Sequence, residues 1–227
     1  MTNQEFIDNL SPKAKTILNG QYKRKTNKTI EISVHDKHTR VGLDHPTVYP
    51  IEVRYREPFY DMEYSLLHEF FHCIQIEEDF PSTSFLDEKY QQMSIDISTL
   101  VLDLDVHDRL LKHGYYTPNY INKTFNEFKY SISLLIDKKN IMFANEIEQR
   151  IRVSYKLILL NKEFDNPKEV AHMHNIIKKK LPLVYKTYNI MNTAIQTHGF
   201  STPEEVTNSF KAIIQGLGLE KYIIIVN

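Results

Sequence analysis

The sequence contains a single cysteine, Cys73, which excludes an internal disulfide framework. Long apolar runs are also missing, since none approaches the roughly 18 residues that a bilayer-spanning helix needs. The first residues, Met1-Thr2-Asn3-Gln4-Glu5, lack the basic segment and apolar core of a signal peptide. Together these absences predict a cytoplasmic protein that does not associate with membranes.

An excess of either charge is missing as well. The 227 residues carry 28 basic and 29 acidic side chains, a formal net charge of −1. This balance gives no overall electrostatic argument for nucleic-acid binding or for an anionic membrane surface. Hydrophobic residues make up 41% and charged residues 25%, which is typical of a globular protein. Two basic clusters, 23–28 and 178–180, are interpreted as solvated surface or helix ends, with a binding patch as the alternative.

Strand and helix patterns mix in the first half of the chain, whereas the second half is nearly all helical. Apolar alternation predicts strands over 29–35 and 48–56, and Pro50 marks the second as an edge strand or a bulge. In the first half, the sequence also predicts a helix over 5–19 that stops at Gly20, a helix over 62–77 capped by Asp61, a loop over 81–84 and a long helix over 86–113 ended by Gly114. In the second half, it predicts helices near 119–137, 141–163, 167–198 and 203–216, the third of them split or kinked by Pro182. A strand is predicted over 222–226.

These elements predict an α+β fold that is mostly helical, with a small sheet beside the helix over 62–77 and a helical C-terminal half. The change in character near residue 117 is the candidate domain boundary. It separates a first domain over 1–117 from a helical region over 118–227, which can belong to the same domain.

The pattern that carries chemistry is His68-Glu69-Phe70-Phe71-His72, a match to H-E-x-x-H. Residues four apart lie on one helix face, so His68 and His72 can bind one zinc ion and leave positions for a third ligand and water. Glu69 lies beside them as the candidate general base. The apolar residues of this helix fall on the opposite side, which favours a packed face and an exposed His pair: Leu66, Leu67, Phe70, Phe71 and Ile74. The alternative is a helix whose two histidines simply meet solvent.

A third ligand is expected from the apolar helix that follows. Asp96, Asp103 and His107 share one face of it, and acidic residues in a buried helix need a partner. Asp103 is the preferred ligand, with a carboxylate that orients His68 or His72 as the competing role. Asp96 and His107 are alternative ligands or supporting groups, and His107 can equally be a buried structural histidine. Two further acids, Asp105 and Asp108, project elsewhere and are interpreted as surface partners of Arg109 and Lys112.

The segment Leu67-His68-Glu69-Phe70-Phe71-His72, followed about thirty residues later by an acidic helix, resembles the ImmA/IrrE-type minimal zinc metallopeptidases. The run 102–110, continuing into His113-Gly114-Tyr115, is similar to a variant of their third-ligand helix. The resemblance covers roughly residues 25–117. The family supplies a glutamate in a Glu-Ala-Asn-like context where this chain has Asp103, and the Gly-Thr-x-Asp signature of the aspartate-using aspzincins is absent.

The resemblance implies a zincin-like domain and cleavage of an intracellular protein, such as a transcriptional repressor. It also implies that an extended substrate pairs with an edge strand before the metal helix, here the predicted strand over 48–56. Two other functions stay open: a metal-dependent sensor or binding module without hydrolysis, and a helical interaction protein without metal. Cys73, next to His72, is interpreted as a small buried apolar residue.

Overall fold

A computed structural model describes residues 2–20, 28–35, 39–41, 47–54, 59–115, 118–136, 141–164 and 166–226. Within these ranges the protein is mostly helical with small sheets, which confirms the predicted α+β class. The helices are α1 (Asn3–Asn9), α2 (Pro12–Gly20), α3 (Phe59–Glu77), α4 (Gln91–Lys112), α5 (Pro118–Leu135), α6 (Ile141–Ala144), α7 (Ile147–Glu163), α8 (Pro167–Lys180), α9 (Pro182–His198) and α10 (Pro203–Leu217). The strands are β1 (Thr29–His35), β2 (Arg40–Val41), β3 (Val48–Arg54), β4 (Ser82–Phe85) and β5 (Ile223–Val226).

The chain divides into two compact units. Unit 1 comprises Met1–Phe80 and Val106–Thr117, and unit 2 comprises Pro81–Asp105 and Pro118–Asn227. Helix α4 is continuous and contributes residues to both. No helix in the described part of the chain is long and apolar enough to cross a membrane.

Unit 1 contains a three-stranded sheet in which β3 is the middle strand, parallel to β1 and antiparallel to β2. The predicted edge position of this strand is therefore wrong, which removes the structural basis of the substrate pairing expected there. Pro50 lies opposite Glu31 of β1 and one residue beyond the pairing of β2 with Ile51 and Glu52.

The core of unit 1 forms where α3 packs against β3 and the N-terminal helices. Its largest fully buried side chains include aromatic residues from all three parts of the sequence that build it. Burial of this many large apolar groups fixes the orientation of α3, the helix that carries the His pair. The cluster comprises Phe6, Leu10, Ala14, Ile17, Tyr49, Ile51, Val53, Met62, Leu66, Leu67, Phe70, Phe71, Cys73, Ile74, Val106, Leu110 and Tyr115.

The N-terminal segment forms two helices rather than the single predicted helix over 5–19. Pro12 would break a helix interior, because it has no amide hydrogen and its ring clashes with the preceding turn. Ser11 instead caps α2: its Oγ accepts a hydrogen bond from the amide of Ala14 at 3.1 Å. The amide of Ser11 donates to the Glu63 carboxylate at 2.7 Å, so a residue of α3 stabilises the break.

Glu63 is a buried carboxylate whose donors come from both ends of unit 1. In addition to the Ser11 amide, it accepts hydrogen bonds from the Ser11 hydroxyl and the Tyr115 hydroxyl, each at 2.8 Å. A buried carboxylate without donors is strongly destabilising, whereas this one has three. The contact links Ser11, just before α2, and Tyr115, just beyond α4, to α3.

Tyr115→Phe should lower the free energy of unfolding by about 1.5–2 kcal/mol, the usual contribution of a hydrogen bond to a charged group. The ring keeps its packing, while the donor to Glu63 and the 3.3 Å contact of the hydroxyl with the Ser11 hydroxyl are lost. Urea unfolding at neutral pH measures the effect. Tyr130, which is 67% exposed, provides the matched control, since Tyr130→Phe should leave stability unchanged. Equal stability of the Tyr115→Phe variant and the wild type would contradict the role assigned to this hydroxyl.

Unit 2 contains a two-stranded antiparallel sheet, β4 paired with β5. The predicted loop over 81–84 is thus wrong, because β4 acquires its structure from a partner near the other end of the chain. The terminal strand predicted over 222–226 is confirmed as β5. Among the helices, α7 packs on α9 and α9 on α8 and α10. Pro182 separates α8 from α9, as predicted, since it begins the second helix.

Three helix boundaries differ from prediction. Helix α3 begins at Phe59, so Asp61 lies in its first turn instead of capping it. The long helix over 86–113 begins as a 3₁₀ turn at Glu88–Tyr90, and α4 proper starts at Gln91. The predicted helix over 141–163 is interrupted between α6 and α7. Gly114 ends α4 with a left-handed φ of 70°, which confirms its predicted role.

Candidate metal centre

Helix α3 buries one face and leaves its histidines partly exposed on another. The predicted apolar stripe is confirmed: its five side chains are at most 3% exposed (Leu66, Leu67, Phe70, Phe71 and Ile74). His68, Glu69 and His72 are half-buried. Their exposure allows a metal ion, water or a substrate to reach these side chains while the opposite face holds the helix in place.

The two imidazole rings converge at the atoms that a metal ion needs. Nε2 of His68 lies 3.2 Å from Nε2 of His72. Nδ1 of His72 lies 2.9 Å from Oε1 of Gln75. The Gln75 oxygen can accept a hydrogen bond from Nδ1, and the His72 tautomer that carries its hydrogen at Nδ1 presents a lone pair at Nε2. That tautomer is the one in which Nε2 can bind a cation.

Gln75 was not among the sequence-based site residues. Its distance of three residues from His72 is a usable signal, because side chains at i and i+3 are neighbours on a helix. Gln75 is buried at 2% exposure, so its amide can hold one ring orientation. The hydrogen bond gives His72 the kind of supporting partner that metal-binding histidines usually have.

The end of α4 brings His107 beside the His pair within unit 1. Its ring centroid lies 5.4 Å from that of His68, with the planes 83° apart. The ring of Tyr64, one turn before His68 on α3, lies 6.4 Å from His107 and 6.5 Å from His68. His107 is buried, so the structure places this candidate as an edge-on aromatic neighbour of His68.

Asp103, one turn before His107 on α4, is buried at 6% exposure. The Tyr155 hydroxyl of α7 donates to its Oδ2 at 2.9 Å. Tyr155 was not predicted from the sequence, because the contact joins residues far apart in the chain. His68 and His72 offer imidazole nitrogens from unit 1, and Asp103 offers a carboxylate oxygen from unit 2. Two nitrogens and one carboxylate oxygen are a donor set that fits zinc.

Asp96 is engaged elsewhere. Its carboxylate accepts a hydrogen bond from the Gln92 amide at 2.9 Å and lies 3.5 Å from Nε of Arg152. Burial raises the pKa of the Asp96 carboxyl, and the Gln92 hydrogen bond and the Arg152 charge offset this only in part. These contacts give Asp96 a hydrogen bond and an ion pair within unit 2, and its place as an alternative ligand stays a prediction.

Asp105 is buried at 5% exposure, so its predicted surface position is wrong. The reason is that α4 is enclosed on more sides than the helical projection indicated. Arg109, its predicted partner, donates to Oε2 of Glu78 at 2.6 Å. Because Asp105 is buried, its replacement should change the free energy of unfolding. The same replacement at a surface position would have had little effect.

Cys73 lies one residue after His72 and is buried, as predicted. Its thiol donates to the carbonyl of Glu69 at 3.4 Å, within the same helix. This is the environment of a small core residue, which confirms the interpretation made from the sequence.

Family models, curated proteins and solved structures were each compared with this chain, and none of them matches it.

Proposed function

We propose that this protein is a zinc-dependent metallopeptidase that hydrolyses peptide bonds of a protein substrate in the cytoplasm. The ligands are His68, His72 and Asp103, and Glu69 is the general base. The observation that carries the proposal is the 3.2 Å approach of the two Nε2 atoms within an H-E-x-x-H helix. Two imidazole nitrogens that face each other this closely need a proton or a cation between them.

The residues fit a zinc ion in both number and chemistry. Zinc in catalytic sites takes three protein ligands and keeps a further position open. Each of two ligands has a supporting hydrogen bond: Gln75 to His72, and Tyr155 to Asp103. Such bonds hold ligand atoms in one orientation and raise metal affinity. His107 and Tyr64 contact the ring of His68 and restrict its rotation.

A zinc ion held by His68, His72 and Asp103 would supply Lewis acidity towards a substrate carbonyl and a water molecule. The Glu69 carboxylate would take a proton from the attacking water and pass it to the leaving amine as the peptide bond breaks. Because Glu69 follows His68 directly, it lies beside the ligands without using a ligand position. Its partial exposure gives it access to water.

The wider assignment rests on the resemblance to ImmA/IrrE-type peptidases. It supports a zincin-like arrangement of α3 and the unit 1 sheet, and a regulatory repressor as the substrate class. Residues 118–227 would shape the cleft or bind the substrate protein. The substrate-pairing strand is left open, because β3 has partners on both sides.

Elemental analysis tests the metal. Protein purified without chelator should contain about one zinc per chain, as a site with two His and one carboxylate predicts. The His68→Ala variant should contain far less, while His172→Ala, at an exposed histidine outside the group, should retain zinc. A zinc content well below half an equivalent after resupply would contradict the proposal. Full zinc content without hydrolysis of any substrate would instead favour a metal-binding module.

A further inference from the structure

Helices α5 and α7 lie side by side in unit 2 and run in opposite directions. The ring of Phe125, in the first half of α5, stacks on that of Phe164, just beyond the end of α7, with the ring centroids 4.0 Å apart. The short helix α6, which lies between them in the chain, packs against both. A groove lies between these helices, which is a common location of ligand sites in helical proteins.

The lining of this groove is mainly apolar, and its volume is about 350 Å³. Its floor is formed by three buried side chains, Phe128, Ile132 and Val153. Its walls include Leu134 and Phe143, which are 47% and 48% exposed. Large apolar side chains exposed to this degree at a concave surface favour an apolar occupant, because covering them removes their surface from water.

The charged groups that line the groove come from α7. Arg152 and Lys156 lie one turn apart on the same face of this helix. Arg152 is engaged, since it donates to Glu148 at 2.9 Å and lies 3.5 Å from the carboxylate of Asp96. Lys156 is exposed, and its ammonium group has no acidic partner among the residues that the structure describes. An anionic group on the occupant would complement the charge of Lys156.

The free charge and the exposed aromatic ring lie towards opposite ends of the groove. Lys156 lies seven residues after Gln149, which is about 10 Å along the helix axis, in the direction of the Phe125–Phe164 stack. Phe143 belongs to α6 and lies near the start of α7. The matching occupant is about 10 Å long, with an anionic group at one end and an apolar remainder.

The size of the groove selects a small molecule over a protein partner. Its volume falls within the range of about 300–1,000 Å³ that is usual for small-molecule sites. Ten described residues line it. A stable protein–protein interface involves about 20–30 residues on each side, so this groove is too small to hold a folded partner by itself.

We propose that the groove between α5 and α7 binds a small amphiphilic carboxylate of the medium-chain fatty acid class. The carboxylate pairs with Lys156, and the aliphatic chain lies along the buried floor and covers Leu134 and Phe143. A chain of about eight carbons matches the length of the groove. All of these groups lie in unit 2, so binding does not require a bound zinc ion.

Isothermal titration calorimetry of the full chain with octanoate tests this site, and octanol serves as the matched uncharged ligand. One octanoate should bind per chain, about fivefold more tightly than octanol, although a carboxylate is harder to remove from water than a hydroxyl. Lys156→Gln should abolish this preference and leave octanol binding unchanged. Lys179→Gln, at an exposed lysine outside the groove, should behave like the wild type.

The apolar wall provides a second test. Phe143→Ala should weaken binding of octanoate and octanol alike by about fivefold, since part of the buried apolar contact is lost. Met142→Ala is the matched control, because Met142 is 82% exposed and does not line the groove. Melting temperatures equal to that of the wild type would show that both variants are folded, as expected for exposed positions.

Three results would overturn the proposal. The first is a wild type that does not bind octanoate, and the second is one that binds octanol as tightly. The third is an equal loss of octanoate affinity in the Lys156→Gln and Lys179→Gln variants, because the carboxylate would then respond to the general charge of the protein and not to this groove.

Discussion

Glu69→Gln should retain zinc and the fold while losing peptide hydrolysis by a factor of about 10² to 10⁴, the usual contribution of a general base. The amide has nearly the size and shape of the carboxylate, so the packing of α3 is kept. It cannot take a proton from water, and it has no proton to give to the leaving amine. Turnover of a fluorescence-quenched peptide library, measured beside zinc content, gives both readouts on one sample.

The matched control is Asp79→Asn, the same loss of a carboxylate just beyond the end of α3. Asp79 is exposed and has a positive φ of 64°, a conformation that asparagine adopts readily. Its replacement should change neither zinc content nor turnover. Hydrolysis by Glu69→Gln at a rate close to that of the wild type would require another base. Loss of zinc from that variant would reassign Glu69 as a ligand.

Asp103→Ala should reduce zinc affinity by at least about 100-fold, because only two imidazoles remain and the carboxylate charge is lost. Asp96→Ala is the informative comparison, since both are buried acids on α4. Its carboxylate binds Gln92 and Arg152, so zinc affinity should stay within about twofold of wild type while stability falls. Competition with a chromogenic chelator measures affinity, and a melting temperature for each variant measures stability.

Tyr155→Phe refines this test. The variant retains Asp103 but removes the hydroxyl that donates to its Oδ2. We expect zinc affinity to fall about tenfold, which is more than in Asp96→Ala and less than in Asp103→Ala. If Asp103→Ala bound zinc normally and His107→Ala did not, the third ligand would be His107 and the metal centre would remain. If neither change mattered, the third ligand would lie outside α4.

Local rules were sufficient for the parts of the site that lie within one helix. The spacing of His68 and His72 and the apolar stripe of α3 follow from helical geometry alone. The burial of Asp105 could not be predicted in this way, because a projection shows which residues share a face but not how many faces are covered. The two supporting residues differ in the same way. Gln75 lies on the same helix as His72 and could be predicted from the helical spacing, whereas the contact of Tyr155 with Asp103 depends on tertiary packing.

In the fold, too, some features follow from the local sequence and others depend on long-range contacts. Gly114 and Pro182 act through their own backbone constraints, so their effects on α4, α8 and α9 were predictable. Strand β4 was predicted as a loop, because its four polar and aromatic residues become a strand only through pairing with β5. The break between α1 and α2 was missed although Pro12 marks it, since the stabilising contact is a long-range bond to Glu63.

The Glu63 contact bears on how this protein can be shortened. A truncation that begins at residue 13 would remove Ser11, the source of two of the three hydrogen bonds that Glu63 accepts. The carboxylate would then be buried five residues before His68 with one donor left, a penalty of several kcal/mol. The N-terminal helices are therefore required for the integrity of α3, and a fragment limited to the H-E-x-x-H region and its sheet is expected to be poorly folded.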